Sequence, residues 1–111
     1  MIETKESIEK IDEIAAVEGV DILLIGSNDL SIELGVPGQF KNDQFRNAVE
    51  AVSAACRKHG KCLGMAGIYE NPEVQGWAIN TLEARFVLAQ QDSGLIARAA
   101  KECAVALDSI I

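Results

Sequence analysis

Apolar residues along this chain fall alternately into helical stripes and short unbroken runs. In KESIEKIDEIAAV, Ile8, Ile11, Ile14 and Ala15 recur at three- and four-residue spacing, which predicts a helix with one buried face. Thr4 is suited to its N-cap, Glu6 to its first turn, and Gly19 can close it. VDILLIG follows, a β-branched run that does not alternate, as expected of a parallel strand covered on both faces. GSNDLSIELGVPGQ reads as a turn-rich connection with a single helical turn at 30–34, punctuated by Pro37 and Gly38. NDQFRNAVEAVSAACRKHG is a long helix with Phe45, Val49, Val52 and Cys56 as its stripe and Gly60 as its stop. KCLGMAGI is the next strand. NPEVQGWAINTL is a helix with Asn71 as N-cap and Pro72 in its first turn. ARFVLAQ is a further strand, and DSGLIARAAKECAVALDSII a final helix that Asp92 can cap.

With the apolar end of a strand at Met1 and Ile2, the order is four consecutive βα units. Strict alternation implies an α/β protein with a parallel sheet and crossover helices. Either a small doubly wound sheet or half of a (β/α)8 barrel satisfies it, and both place function at the carboxyl ends of the strands. Those ends are Glu3, the turn of Gly26, Ser27, Asn28 and Asp29, residues 65–67, and residues 90–92.

Glu3 and Asp29 stand at equivalent strand ends, one βα unit apart. Neighbouring strands are about 4.8 Å apart, so the two carboxylates can converge into a hard-oxygen site for Mg²⁺ or Mn²⁺ with coordination positions left over for water and substrate. Each acid also has an ordinary reading: Glu3 as a helix-dipole partner, and Asn28 or Asp29 as the cap of a short turn. Backbone N–H groups of the GSNDL turn can hold an anion such as a carboxylate, or the turn is a plain Asx turn. The single histidine, His59, ends a helix at the amino-end face of the sheet, where it serves the helix C-terminus. Trp77 and Phe45 sit on helix stripes as core residues, and Arg85 begins a strand at the end away from the tips. Gln90 and Gln91 could line a site.

Composition narrows the partners. The 111 residues suit one domain spanning 1–111, and 17 acidic against 10 basic residues give a net charge of −7. That charge disfavours nucleic acid and anionic membrane surfaces. Cys56, Cys62 and Cys103 make neither a disulfide framework nor a zinc pattern, and as small buried hydrophobes they suit a reducing cytoplasm. Cys62 has no base partner that would make it a nucleophile. No apolar run approaches the length of a membrane span, and neither G-x-G-x-x-G nor a P-loop occurs.

Four stretches, MIETKESIEKIDEIAAVEGVDILLIGSNDLS, LGVPGQ, HGKCLGMAG and ARFVLAQQDSGLIARAAK, resemble the HpcH/HpaI aldolase/citrate lyase family, on its 2-oxo-acid aldolase side. The specific signature is the I-E-T strand end, then a helix, then a strand closing in G-x-x-D-L. The resemblance implies the C-terminal half of a (β/α)8 TIM barrel of the phosphoenolpyruvate/pyruvate type, its fifth to eighth βα units. It implies that Glu3 and Asp29 ligate a divalent metal (Mg, Mn or Co). Gly26, Ser27, Asn28 and Asp29 would bind a 2-oxo acid of the pyruvate or oxaloacetate type, whose enolate the metal stabilises as a C–C bond to an aldehyde breaks or forms. It also implies a homo-oligomer, in the family a hexamer, in which the last helix, 95–111, packs on a neighbouring subunit.

The departures are equally specific. The family's catalytic His and Arg come from earlier strands, so no catalytic residue is identified in this chain. Met1 stands where the family often has Gln, Glu83 where it tends to have Gly, and Gln90 and Gln91 where smaller residues are usual. The expectation is therefore an incomplete copy, a fragment whose first strand is cut at the metal ligand and which has little aldolase activity alone. The alternative is a non-catalytic truncated half-barrel that associates with itself or with a complementary half.

Overall fold

The computed structural model describes residues Met1–Ile111. Three parallel strands, β1 (Ile22–Gly26), β2 (Cys62–Ala66) and β3 (Phe86–Val87), pair in the order β1-β2-β3. Helices α1 (Lys5–Glu9) and α2 (Ile11–Ala15) precede β1, α3 (Ser27–Glu33) and α4 (Asp43–His59) lie between β1 and β2, α5 (Pro72–Gly76) precedes β3, and α6 (Asp92–Asp108) ends the chain. Consecutive parallel strands joined by helical crossovers form a small α/β unit that matches part of a (β/α)8 barrel.

The expected first strand is reduced to one bridge. Ile2 pairs with Ile25, its N–H donating to Leu24 O at 2.8 Å, and Gly26 N–H returns to Ile2 O at 3.1 Å. Two hydrogen bonds suffice to bury Ile2 and to set Glu3 beside the end of β1. The last strand is also shorter than ARFVLAQ. It is two residues paired only with β2, and beyond Leu88 no further backbone bond to β2 forms.

The helices differ from the sequence expectation at their joints. The first splits at Lys10 (φ −100°, ψ 16°), so Ile11 and Ala15 reach the core while α1 buries nothing. Gly19 lies in the turn after that helix, which has already ended at Ala15. The connection after β1 forms a full helix from Ser27 to Glu33 rather than one turn at 30–34, and Asp29 lies inside it instead of capping it. The 71–82 segment is α5 followed by a π-helical turn, Trp77–Thr81. Asp92 is not the N-cap of α6. Gln91 holds that position, with no side-chain cap bond, and Asp92 Oδ1 accepts from Ser93 N–H at 2.8 Å.

Other caps follow the sequence. Thr4 and Ser7 form a reciprocal capping box, Asn42 and Asn71 accept from Gln44 and Val74 N–H groups, and Gly60 closes α4 in the left-handed region at φ 65°. The core lies between the sheet and α4, around the fully buried Phe45, Leu23, Ile25, Val49 and Val52. Phe45 also meets Phe40 at 5.3 Å, and Trp77, half-buried, stacks under the Arg46 guanidinium at 4.7 Å. Of the cysteines only Cys56 is buried; Cys62 is half-buried and Cys103 exposed, against the expectation for all three. No helix is long and apolar enough to cross a membrane.

Candidate functional site

At the carboxyl ends of β1 and β2 lies a cleft of about 220 Å³. Glu3, Gly26, Ser27, Asn28 and Asp29 all line it, so the structure brings the sequence-predicted site residues into one place. The backbone explains how. The Ile2 bridge delivers Glu3 to the end of β1, and the immediate turn from Gly26 into α3 delivers Asp29 one helical turn later. No third His, Cys, Asp or Glu joins them as a metal-binding group.

Two features show how closely the cleft is built. A Cβ placed on Gly26 would lie 2.6 Å from Glu3 Cγ and 2.9 Å from its carboxyl carbon, so a side chain there would displace Glu3 from its path across the end of β1. Ser27 is fully buried, and its hydroxyl has no hydrogen-bond partner. An orphaned buried hydroxyl is a costly feature, and this one belongs to a residue of the cleft wall. Two hard carboxylate donors lining one open cleft fit an oxygen-ligated divalent cation.

Asn28 has a different task from the one its neighbours suggest. Its Nδ2 donates across to Gly67 O at 3.2 Å and ties α3 to the loop after β2. Gly67 adopts φ 88°, and a Cβ there would come within 3.0 Å of Asn28 Nδ2. Sequence reasoning singled out 65–67 and 90–92 as strand ends. The cleft takes Ala66 and Gly67 from the first, but Leu88 instead of Gln90 and Gln91 from the second, because β3 stops earlier. Tyr69 and Met1 complete the lining. Tyr69, three residues past the end of β2, was signalled only by its closeness to that strand end.

The remaining candidates are elsewhere. His59 Nε2 and Lys58 Nζ both meet Asp12 Oδ1, at 2.9 and 2.8 Å, and these hydrogen bonds hold the Asp12 carboxyl below the usual carboxylate range. Burial, assisted by the neighbouring Cys62, pushes the Cys56 thiol up to about 11, so it carries no thiolate at neutral pH. Glu83, which stands where the resembled family tends to have Gly, adopts φ 61°. That left-handed conformation is the one glycine reaches without strain.

A model of the HpcH/HpaI aldolase/citrate lyase family matches residues 1–76. The chain is 57% identical over 110 residues to a 4-hydroxy-4-methyl-2-oxoglutarate aldolase of Hapsidospora irregularis, covering 99% of this chain and 41% of that protein. It is 59% identical, over the same shares, to a 4-hydroxy-4-methyl-2-oxoglutarate aldolase of Chaetomium globosum. Among solved structures, an HpcH/HpaI aldolase from Desulfitobacterium hafniense superposes with a TM-score of 0.78 at 30% identity, over 97% of this chain and 40% of that one. The chain thus spans about two-fifths of the length of the proteins it matches.

Proposed function

The chain belongs to the HpcH/HpaI aldolase/citrate lyase family, and from that premise we propose that it carries the metal- and oxo-acid-binding end of a class II aldolase. The observation that carries this reading is the meeting of Glu3 and Asp29 in one cleft, across a Gly26 that leaves no room for a side chain. Glu3 and Asp29 hold a divalent ion (Mg, Mn or Co). When bound, that ion supplies Lewis-acid polarisation of a 2-oxo acid carbonyl. Ser27 donates its hydroxyl to an oxygen of the oxo acid, which ends its isolation. The first N–H groups of α3 have no acceptor within the helix and face the same need. The Asn28–Gly67 bond keeps this turn fixed, so no reorganisation is needed when charge develops. The substrate is a pyruvate- or oxaloacetate-type acid with an aldehyde partner. The 4-hydroxy-4-methyl-2-oxoglutarate aldolases support a substrate of that class.

The cleft lining holds no His, Lys or Arg. With both carboxylates assigned to the metal, Tyr69 is the one other proton-transfer group in the lining, and lack of a matched acid or base costs proton transfer a factor of about 10² to 10⁴. The chain alone is therefore expected to bind metal and to turn over aldol substrates poorly. Titration of Mn²⁺ into wild type, Glu3→Gln and Asp29→Asn, followed by water proton relaxation, tests the site. Equal affinity in all three would remove both acids as ligands. Rapid pyruvate release from 4-hydroxy-4-methyl-2-oxoglutarate by this chain alone would contradict the second expectation.

A second reading is favoured by a different observation. Helix α6 buries no residue, and Ile22, Phe86 and Val87 of the sheet stay exposed. Such surfaces support association with a second copy or a complementary half-barrel. A monomer by light scattering over a wide concentration range would count against it.

A further inference from the structure

A second cleft, of about 350 Å³, lies at the opposite ends of the strands from Glu3, between the end of α4, the start of β2 and the turn before β3. Arg57, Lys61 and Arg85 line it. None of these three cations takes part in an ion pair, a state they share with Lys5, Arg46 and Lys101, but they alone are gathered in one cleft. Neutral oxygens position them instead. Arg57 Nη1 donates to Ser53 Oγ at 2.7 Å, Lys61 Nζ to Val17 O at 3.1 Å, and Arg85 Nη1 to Ile79 O and Ala84 O at 2.9 and 3.0 Å. Ser53 is itself buried and bonded to Leu82 O at 3.1 Å, so the Arg57 anchor is firm.

The charge balance of the cleft runs against that of the chain. Glu83 is the one acid in the lining, and the carboxyl end of α4 adds only about half a negative charge. Three cations outweigh both, in a molecule whose net charge is −7. The neighbouring cations Lys58 and His59 turn away to Asp12, so the three lining cations are not shared with that carboxylate. Each guanidinium spends only Nη1 on the protein, which leaves the rest of its planar fork for an oxyanion. A concave lining of one sign concentrates its field on a small ligand.

We propose that this basal cleft, built from Arg57, Lys61 and Arg85, binds a small multivalent oxyanion of the phosphate or polycarboxylate type. It is separate from the carboxylate-lined cleft, whose acids repel such a ligand when no metal is bound. Calorimetric titration of pyrophosphate and of citrate, with EDTA present to exclude metal-mediated binding, tests it on the whole chain and distinguishes the two chemistries. At least one probe should bind saturably at one site, more weakly as salt rises. Arg85→Gln should weaken it by about tenfold, since a charge-assisted fork is lost. Lys101→Gln, on α6, should leave it unchanged. Arg85 is exposed, so its replacement leaves the fold in place; Arg57→Gln provides a second reading of the same loss. Absence of saturable binding to wild type, or equal binding by Arg85→Gln, would overturn the proposal. So would loss of binding in Glu3→Gln, because the anion would then occupy the other cleft.

Discussion

Helices α4 and α6 each run for 17 residues, yet they occupy opposite environments. Helix α4 buries Phe45, Ala48, Val49, Val52, Ser53, Ala55 and Cys56, whereas α6 buries nothing and leaves Leu95, Ile96, Val105 and Leu107 in solvent. Their ends differ in the same way. Asn42 caps α4 and Gly60 closes it, while Gln91 gives α6 no side-chain cap. Beyond its ends, α4 is anchored to α2 through Lys58, His59 and Asp12, and α6 has only the long Arg98–Glu70 contact at 3.7 Å. Equal length therefore says nothing about equal stability, because most helical stability comes from packing of one face rather than from the helix itself. The apolar residues of α6 gain nothing from packing within these 111 residues.

The largest effect should separate the two helices outright. Phe45→Ala is expected to destabilise the chain by about 3–5 kcal/mol in urea unfolding, and Leu107→Ala by less than about 0.5 kcal/mol. Comparable losses would show that α6 packs on the body after all. Removing the α4 cap with Asn42→Ala should cost about 1 kcal/mol of global stability. Supplying one to α6 with Gln91→Ser should instead raise helix content by circular dichroism and slow amide exchange within α6, with the urea midpoint unmoved. Gln91 already has the extended backbone that a cap requires, at φ −120° and ψ 158°.

The smallest effect concerns the Asp12 anchor. Its carboxyl is held below its ordinary value of 3.8, so it stabilises the folded state fully above that pH. The contribution fades as pH falls through the depressed folded value. Asp12 is exposed, so the effect should be smaller than that of Asn42→Ala. Asp12→Asn should lower the thermal midpoint slightly near pH 7 and converge on wild type at acid pH, which flattens the acid limb of the profile. An unchanged acid limb would mean that the pairing with Lys58 and His59 does not persist in solution.

Periodicity made the packed half of the molecule legible. The stripe of Phe45, Val49, Val52 and Cys56 lies in the core as its spacing predicts, and the ILLIG run is a parallel strand, although Ile22 and Leu24 leave one of its faces less covered than the non-alternating pattern predicts. What the sequence could not convey was how far pairing would extend at the sheet's borders. Strand length there depends on a neighbouring strand to bond with, and ARFVLAQ has one only on the β2 side, so two residues pair. The break at Lys10 turns Ile11 and Ala15 toward the core, and the π-helical turn at Trp77 lies where Ala78 meets the core. At the site, the matching positions of Glu3 and Asp29 were visible as one βα offset. The roles of Gly67 and Tyr69 were not, because a loop residue's place depends on where the chain turns after the strand. Ser27 was visible as a turn residue; its isolation inside the cleft is a property of three-dimensional packing alone.

The absent side chain at Gly26 has a genetic consequence. Because the space it leaves is filled by Glu3, positions 3 and 26 form one heritable unit although 22 residues separate them. Replacements at 26 should be tolerated only in backgrounds where residue 3 has first been shortened. A randomised library should therefore recover Gly26→Ala alongside Glu3→Ala, and rarely by itself. Restoration of Glu3 would then be hindered for as long as residue 26 carries a side chain, which makes loss of the long acid at position 3 an evolutionary step that is hard to retrace.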